Sequence, residues 1–221
     1  ECRWFTRGWC LQELIAPKQL YFYDCTWTQR GDRISLSGRL GRITNIGRRT
    51  LLNPNRLSTL PVARRMSWAA TRQTTRPKDT AYCLVGIFGV NMPLIYGEGA
   101  NAFLRLQEAI ALATEDLSLF AWAGPGGEAS PDAPRYSGLL ARSSAQFANC
   151  SQLRNNQELL QYDFRLFTMV NHCFRFQICL MTDARNGQYL MPLHCHMISV
   201  SRSCTIVLRL IKTGAGFVRH K

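Results

Sequence analysis

The 221-residue sequence predicts a mixed α/β chain with a helical segment, followed by a small antiparallel β module. Three observations predict it. Apolar residues recur at helical spacing through about residue 124, most clearly in "ANAFLRLQEAIALAT". The segment "PGGEASPDAP" then shifts the composition to Pro, Gly and acid, as a linker does. Beyond it the period falls to two, in "DFRLFTMVNHCFRFQICLMTD", "GQYLMPLHCHM" and "SCTIVLRLIKTGAGFVRH". These changes divide the chain into 1–56, a helical 57–124, a linker 125–135 and a β-rich 136–221.

In chain order, Thr6 stands where it can cap a helix reaching Ile15, with Cys10, Leu11, Leu14 and Ile15 on its apolar face. Trp9 and Glu13, four residues apart, share one edge of that helix. Pro17 forbids continuation, and "QLYFYD" is short and aromatic, as a strand is. "ISLSGRLGRITNIG" is helix-like but weakened by Gly38 and Gly41, with Gly47 as its stop. Ser58 or Thr59 is placed to cap "VARRMSWAA", with Pro61 in its first turn. Asp79 is placed to cap "TAYCLVGIF", which reads as one buried helix. "GVNMPLIYGEG" is an extended loop, and in the helix after it Ala102, Phe103, Leu106, Ile110 and Ala113 line one face. "LSLFAWAG" closes this portion as a strand.

Composition bounds the function classes. Hydrophobic residues make up 46%, enough for a core, and no run of about 18 apolar residues suggests a membrane span. The opening "ECRWFTRGWC" carries charge where a signal peptide is apolar, so a soluble, cytoplasmic chain is expected. The nine cysteines are odd in number and lack zinc-knuckle spacing, which predicts buried free thiols in a reducing compartment. The net charge of +13 is uneven: +10 over 1–80, −3 over 81–150 and +6 over 151–221. The cations are scattered and accompany no nucleic-acid-binding motif, so a solvated face with ion pairs is expected and no nucleic acid. His194 and His196 fall on one face of a strand, but zinc needs further ligands that His172 or His220 would have to supply, so no metal is expected. "GEG" at 97–99 precedes a helix and suits either an anion or a tight turn, with Glu98 complementing the helix dipole. Cys10 has no histidine near it in sequence to activate it.

The block "RWFTRGWCLQELIAP" resembles the third signature block of the fungal heterokaryon-incompatibility (HET) domain. "MSWAATRQTTRPKDTAYCLVGIFGVNMPLIYGEGANAFLRLQEAI" resembles the domain of unknown function that follows HET in such proteins, and "LSLFAWAG" and "YSGLLARSSAQFANC" resemble what comes next. The family's first two blocks, an "ALSYVWG"-type and a "WIDSLCIDQ"-type strand, do not occur, so residues 1–56 resemble a C-terminal remnant of the HET domain. The resemblance implies self/non-self recognition and cell-death signalling in the cytoplasm. Its implied partners are other incompatibility proteins, NLR-like modules or further copies of the chain. HET domains are distantly similar to the TIR fold, which implies a parallel sheet shorn of its first strands. Some TIR domains cleave NAD, and "WCLQEL", Trp9 to Leu14, is similar to the block holding the catalytic glutamate of plant TIR domains. The resemblance thus implies Glu13 as the acid, Trp9 in support, and NAD as substrate rather than cofactor. Arg3 and Arg7 lie close enough in sequence to face its phosphates, or to act as plain ion-pair partners. Two rival expectations stand beside this one: Glu13 is a solvated helix side chain, and the chain is a non-catalytic interaction scaffold or inactive truncated product.

Overall fold

The computed structural model describes residues 2–123, 136–155, 167–170, 173–183, 186–198, 203–214 and 216–220. The expected linker at 125–135 and His172 lie outside the described residues.

A 3-10 turn, Arg3–Thr6, leads into α1, Cys10–Ile15. Thr6 does not cap α1, because the helix starts only at Cys10 with Trp9 at the cap position; the Thr6 hydroxyl donates back to the Arg3 carbonyl at 3.0 Å. The expected face, Cys10, Leu11, Leu14 and Ile15, is buried. Arg33 closes the other end: its guanidinium donates to the carbonyls of Leu14, Ile15 and Lys18 at 3.1, 2.8 and 3.2 Å. A cation there satisfies orphan carbonyls and complements the helix dipole.

β1 (Tyr21–Tyr23) pairs antiparallel with β2 (Gln29–Asp32). The parallel sheet implied by the resemblance is therefore not what these strands make. The short connection between them, organised by Asp24 accepting from the Thr26 and Thr28 amides, allows only a hairpin. Parallel pairing among the described residues is an isolated bridge, Arg7 to Gln73.

α2 (Ser37–Thr44) ends on Asn45 in the left-handed conformation, φ 56°, two residues before the expected Gly47. α3 (Arg48–Leu52) and a 3-10 turn (Pro54–Thr59) lead to α4 (Val62–Ser67). Ser58 and Thr59 belong to that turn and cap nothing in α4. The first amides of α4 donate instead to distant side chains, Val62 to Asp116 Oδ2 at 2.8 Å and Ala63 to Ser118 Oγ at 3.1 Å. The single helix expected at 79–88 is two: α5 (Asp79–Tyr82) and α6 (Val85–Phe88). Gln12 draws the Cys83 carbonyl out of the helical ladder with a 2.8 Å bond.

α7 (Asn101–Ala113) buries Ala102, Phe103, Leu106, Ile110 and Ala111, while Ala113 is exposed. Gln107 is fully buried and pairs like a strand residue with Ala141, donating to its carbonyl at 2.7 Å and accepting from its amide at 2.8 Å. "LSLF" is a 3-10 turn, Leu117–Phe120, not a strand. Its four residues, Ser118 included, are all buried, and a run buried on every side carries no period to tell the two apart.

The β module holds β3 (Tyr136–Ser137), β4 (Leu153–Asn155), β5 (Phe167–Val170), β6 (Cys173–Phe176), β7 (Met181–Asp183), β8 (Gln188–Ile198), β9 (Ser203–Thr213) and β10 (Gly216–His220). One antiparallel sheet runs β3-β10-β9-β8-β4, with β7 also on β8, and β5–β6 form a separate hairpin. That hairpin packs Phe167, Phe174 and Phe176 edge-on around Phe120, at centroid distances of 5.5, 5.2 and 5.4 Å. One cluster of buried side chains is thereby continuous from Leu11 to Leu210. The Arg219 guanidinium stacks 3.6 Å over Trp122 and donates to the carbonyls of Phe120 and Trp122.

Of the nine free cysteines only Cys10, Cys83, Cys150 and Cys195 are buried; Cys2, Cys25, Cys173, Cys179 and Cys204 are exposed. Between 173 and 180 the alternate residues Phe174, Phe176, Ile178 and Leu180 pack inward, and the two-residue period turns Cys173 and Cys179 to solvent.

Candidate functional site

The N-terminal block is anchored before it can line anything. Gly8 donates its amide to the Gln73 carbonyl at 2.9 Å, and Gln73 donates its own to Thr6 at 2.7 Å. Arg72 is buried beneath this join and donates to the Arg7 carbonyl at 2.9 Å and the Trp68 carbonyl at 3.2 Å. Gly8 is required by close approach: a Cβ there would stand 2.5 Å from Thr74 Cγ2.

This join opens a cleft of about 690 Å³ between segments 3–9 and 73–79. Its walls bring together Arg3, Arg7, Trp9 and Trp4 with the polar Thr74 and Thr75, and Asp79 closes one side. Trp9 is 43% exposed, and Arg3 and Arg7 are exposed. Neither guanidinium is in an ion pair among the described residues. Three of the four residues singled out in the sequence thus share one cleft. The fourth, Glu13, does not line it. Glu13 is exposed on α1, its Oε2 accepting from the Trp4 indole N–H at 2.9 Å. Trp4 is held edge-on against Phe5 and Phe22 at 5.1 and 5.9 Å. The carboxylate within the cleft is Asp79, which the sequence offered only as a helix cap and which stands at the first position of α5. Its signal was a carboxylate following "TTRPK", legible only once Gln73 is known to lie beside Gly8.

Two thiols lie close by and neither is primed. Burial, then contact with Glu13, pushes Cys10 up from its ordinary value. Burial pushes Cys83 up to about 12. A thiol so raised is protonated and weakly nucleophilic at neutral pH.

Elsewhere, Glu98 does more than complement the α7 dipole. It accepts from the Tyr82 hydroxyl and forms an ion pair with Arg105, and its side chain is 6% exposed. Burial pushes its carboxyl up, but those two partners outweigh burial and hold it below the usual carboxylate value. His194 adopts φ 50° at a bulge in β8. Among the described residues, no three His, Cys, Asp or Glu side chains are grouped to hold a metal ion.

Many basic residues, Arg39, Arg42, Arg48, Arg49 and Arg76 among them, are exposed, as a solvated face requires. Among the described residues the ion pairs are Arg30–Asp24 and Arg105–Glu98. Arg33, Arg65, Arg72 and Arg219 instead reach inward to backbone carbonyls. Arg65 is also stacked on Phe88 at 4.6 Å. Among the described residues no helix is long and apolar enough to cross a membrane.

Comparison with known proteins relates the chain to an incompatibility protein. Over 111 residues it is 48% identical to the vegetative incompatibility protein HET-E-1 of Podospora anserina. The matching stretch covers 50% of this chain and 8% of that protein, so the chain spans a small part of its relative. No family model matches the chain, and no solved structure matches its fold.

Proposed function

We propose that this chain is part of a fungal vegetative-incompatibility protein, acting in the cytoplasm in self/non-self recognition and cell-death signalling. Its partners are other incompatibility proteins, NLR-like modules or copies of itself. The 48% identity to HET-E-1 carries this reading.

In a longer form of the protein, the N-terminal cleft is one wall of an NAD site. Its volume of about 690 Å³ lies within the range of small-molecule sites. The exposed face of Trp9 suits a stacked base, and Arg3 and Arg7 offer donors for phosphate oxygens. As nicotinamide departs with the electrons of the nicotinamide–ribose bond, oxocarbenium-like charge builds on the ribose. A nearby carboxylate stabilises that charge until water adds at that carbon and gives up its proton to the carboxylate or to solvent. Glu13 is the acid the "WCLQEL" resemblance implies, and it serves only by releasing the Trp4 indole. Asp79 is the acid already at the cleft.

The test is NAD consumption by this chain and by a longer form, each as Glu13→Gln and Asp79→Asn. Turnover in the longer form, abolished by one of the two substitutions, identifies the acid. Absence of turnover in every form, clustered or not, overturns the enzymatic reading. What then remains is the non-catalytic scaffold, which the Trp4–Glu13 hydrogen bond favours.

A further inference from the structure

We infer that the loop at 91–100 is a membrane-contact element, a rigid apolar tip with Lys78 beside it that enters the interface of an anionic lipid bilayer. Leu94, Ile95 and Tyr96 are consecutive, and they are 77%, 44% and 95% exposed. Three large apolar side chains side by side in water form a patch, unlike the single exposed ones every surface carries.

The tip is held out by its base. Tyr82 donates to Glu98 and accepts from the Ile95 amide at 3.1 Å. Arg105 pairs with Glu98 and donates to the Pro93 carbonyl at 2.9 Å. Gly97 and Gly99, at φ 82° and 56°, let the chain turn back sharply into α7. A floppy loop would fold its apolar residues down onto the surface; this clamp prevents it.

Charge selects a bilayer over a protein pocket. Lys78 Nζ stands 5.2 Å over the Tyr96 ring, with Arg76 exposed just before it. Tyrosine beside lysine suits the headgroup layer, where the ring is half-immersed and the ammonium meets lipid phosphates. The chain as a whole carries +13, and although its 81–150 segment carries −3, Lys78 and Arg76 put cations at the tip. Such a field draws the chain toward an anionic leaflet. With Leu94 and Tyr96 this far out in water, a protein partner would need a matching acidic-rimmed socket, whereas a bilayer needs none. This contact does not depend on the nucleotide cleft.

The experiment is co-sedimentation of the 221-residue chain with phosphatidylcholine vesicles, with and without phosphatidylserine. We expect binding to the anionic vesicles only, weakened by added salt. A Leu94→Glu/Tyr96→Glu variant should lose at least about tenfold in affinity, since it removes two inserting groups and adds repulsion. The variant's urea midpoint should match the parent, because neither side chain is buried. Equal binding by parent and variant overturns the inference. So does absence of binding to either vesicle, including the case where the chain instead self-associates through Tyr96.

Discussion

Replacing Asp116 by alanine should destabilise the protein by more than its half-buried position suggests. One oxygen accepts from Val62 at 2.8 Å, the first amide of α4; the other accepts from Ser118 at 2.9 Å in the 3-10 turn. A single carboxylate therefore caps two helix starts that lie more than fifty residues apart. Losing one such cap costs about 0.5–2 kcal/mol, and the Val62 amide, on a fully buried residue, has no easy route to water. Together the loss should be about 2–3 kcal/mol, which moves a urea midpoint by about 1 M or more. Asp116→Asn keeps one acceptor oxygen and loses the charge–dipole attraction, so about half the loss is expected. The assay is equilibrium urea unfolding, followed by tryptophan fluorescence and far-ultraviolet circular dichroism. An alanine variant within about 0.5 kcal/mol of the parent would refute the shared cap. An asparagine variant as damaged as the alanine one would place the cost elsewhere than in the two hydrogen bonds.

Two further outcomes follow from the same geometry. Gly8→Ala should cost about 1–3 kcal/mol by overpacking against Thr74 Cγ2 and, at 3.1 Å, Cys83 Sγ, and Thr74→Ser, which removes the nearer methyl, should restore part of it in a double-mutant cycle. Simple additivity of the two changes would show that the close approach is not the cause. For Glu98, whose folded carboxyl lies below its unfolded value, the stabilisation is complete above the ordinary carboxylate range and is lost as pH falls through the lowered value. The parent should thus be more stable than Glu98→Gln at neutral pH, and the gap should close on acidification. A gap that stays constant down to about pH 3 would mean that the clamp does not rest on the charge.

Much of the fold was legible because local patterns and burial agreed. The apolar face of α1 and most of that of α7 are buried where helical spacing put them, and the β module has its period of two. The expectations that failed did so where a residue's partner lies far away in sequence. Ser58 and Thr59 were near enough to cap α4, yet Asp116 and Ser118 do it. "TAYCLVGIF" had the composition of one helix, but Gln12 takes the Cys83 carbonyl and splits it. At the candidate site, Arg3, Arg7 and Trp9 were nominated from a contiguous block and do meet in one cleft. Glu13 was nominated from the same block and points instead to Trp4. Asp79 was not nominated for the cleft, because nothing in the sequence says that Gln73 lies beside Gly8.

By itself, then, the sequence determined the class of chain, the helix faces, the alternation of the β module and the kinship with an incompatibility protein. These follow from periodicity and from residue identity, both properties of neighbours along the chain. The tertiary structure alone decided that β1 and β2 are antiparallel, that Arg33, Arg65, Arg72 and Arg219 face inward to carbonyls, and which acid reaches the cleft. Buried donors and acceptors must find partners wherever the packed chain supplies them, and that supply is set by distance in space rather than in sequence.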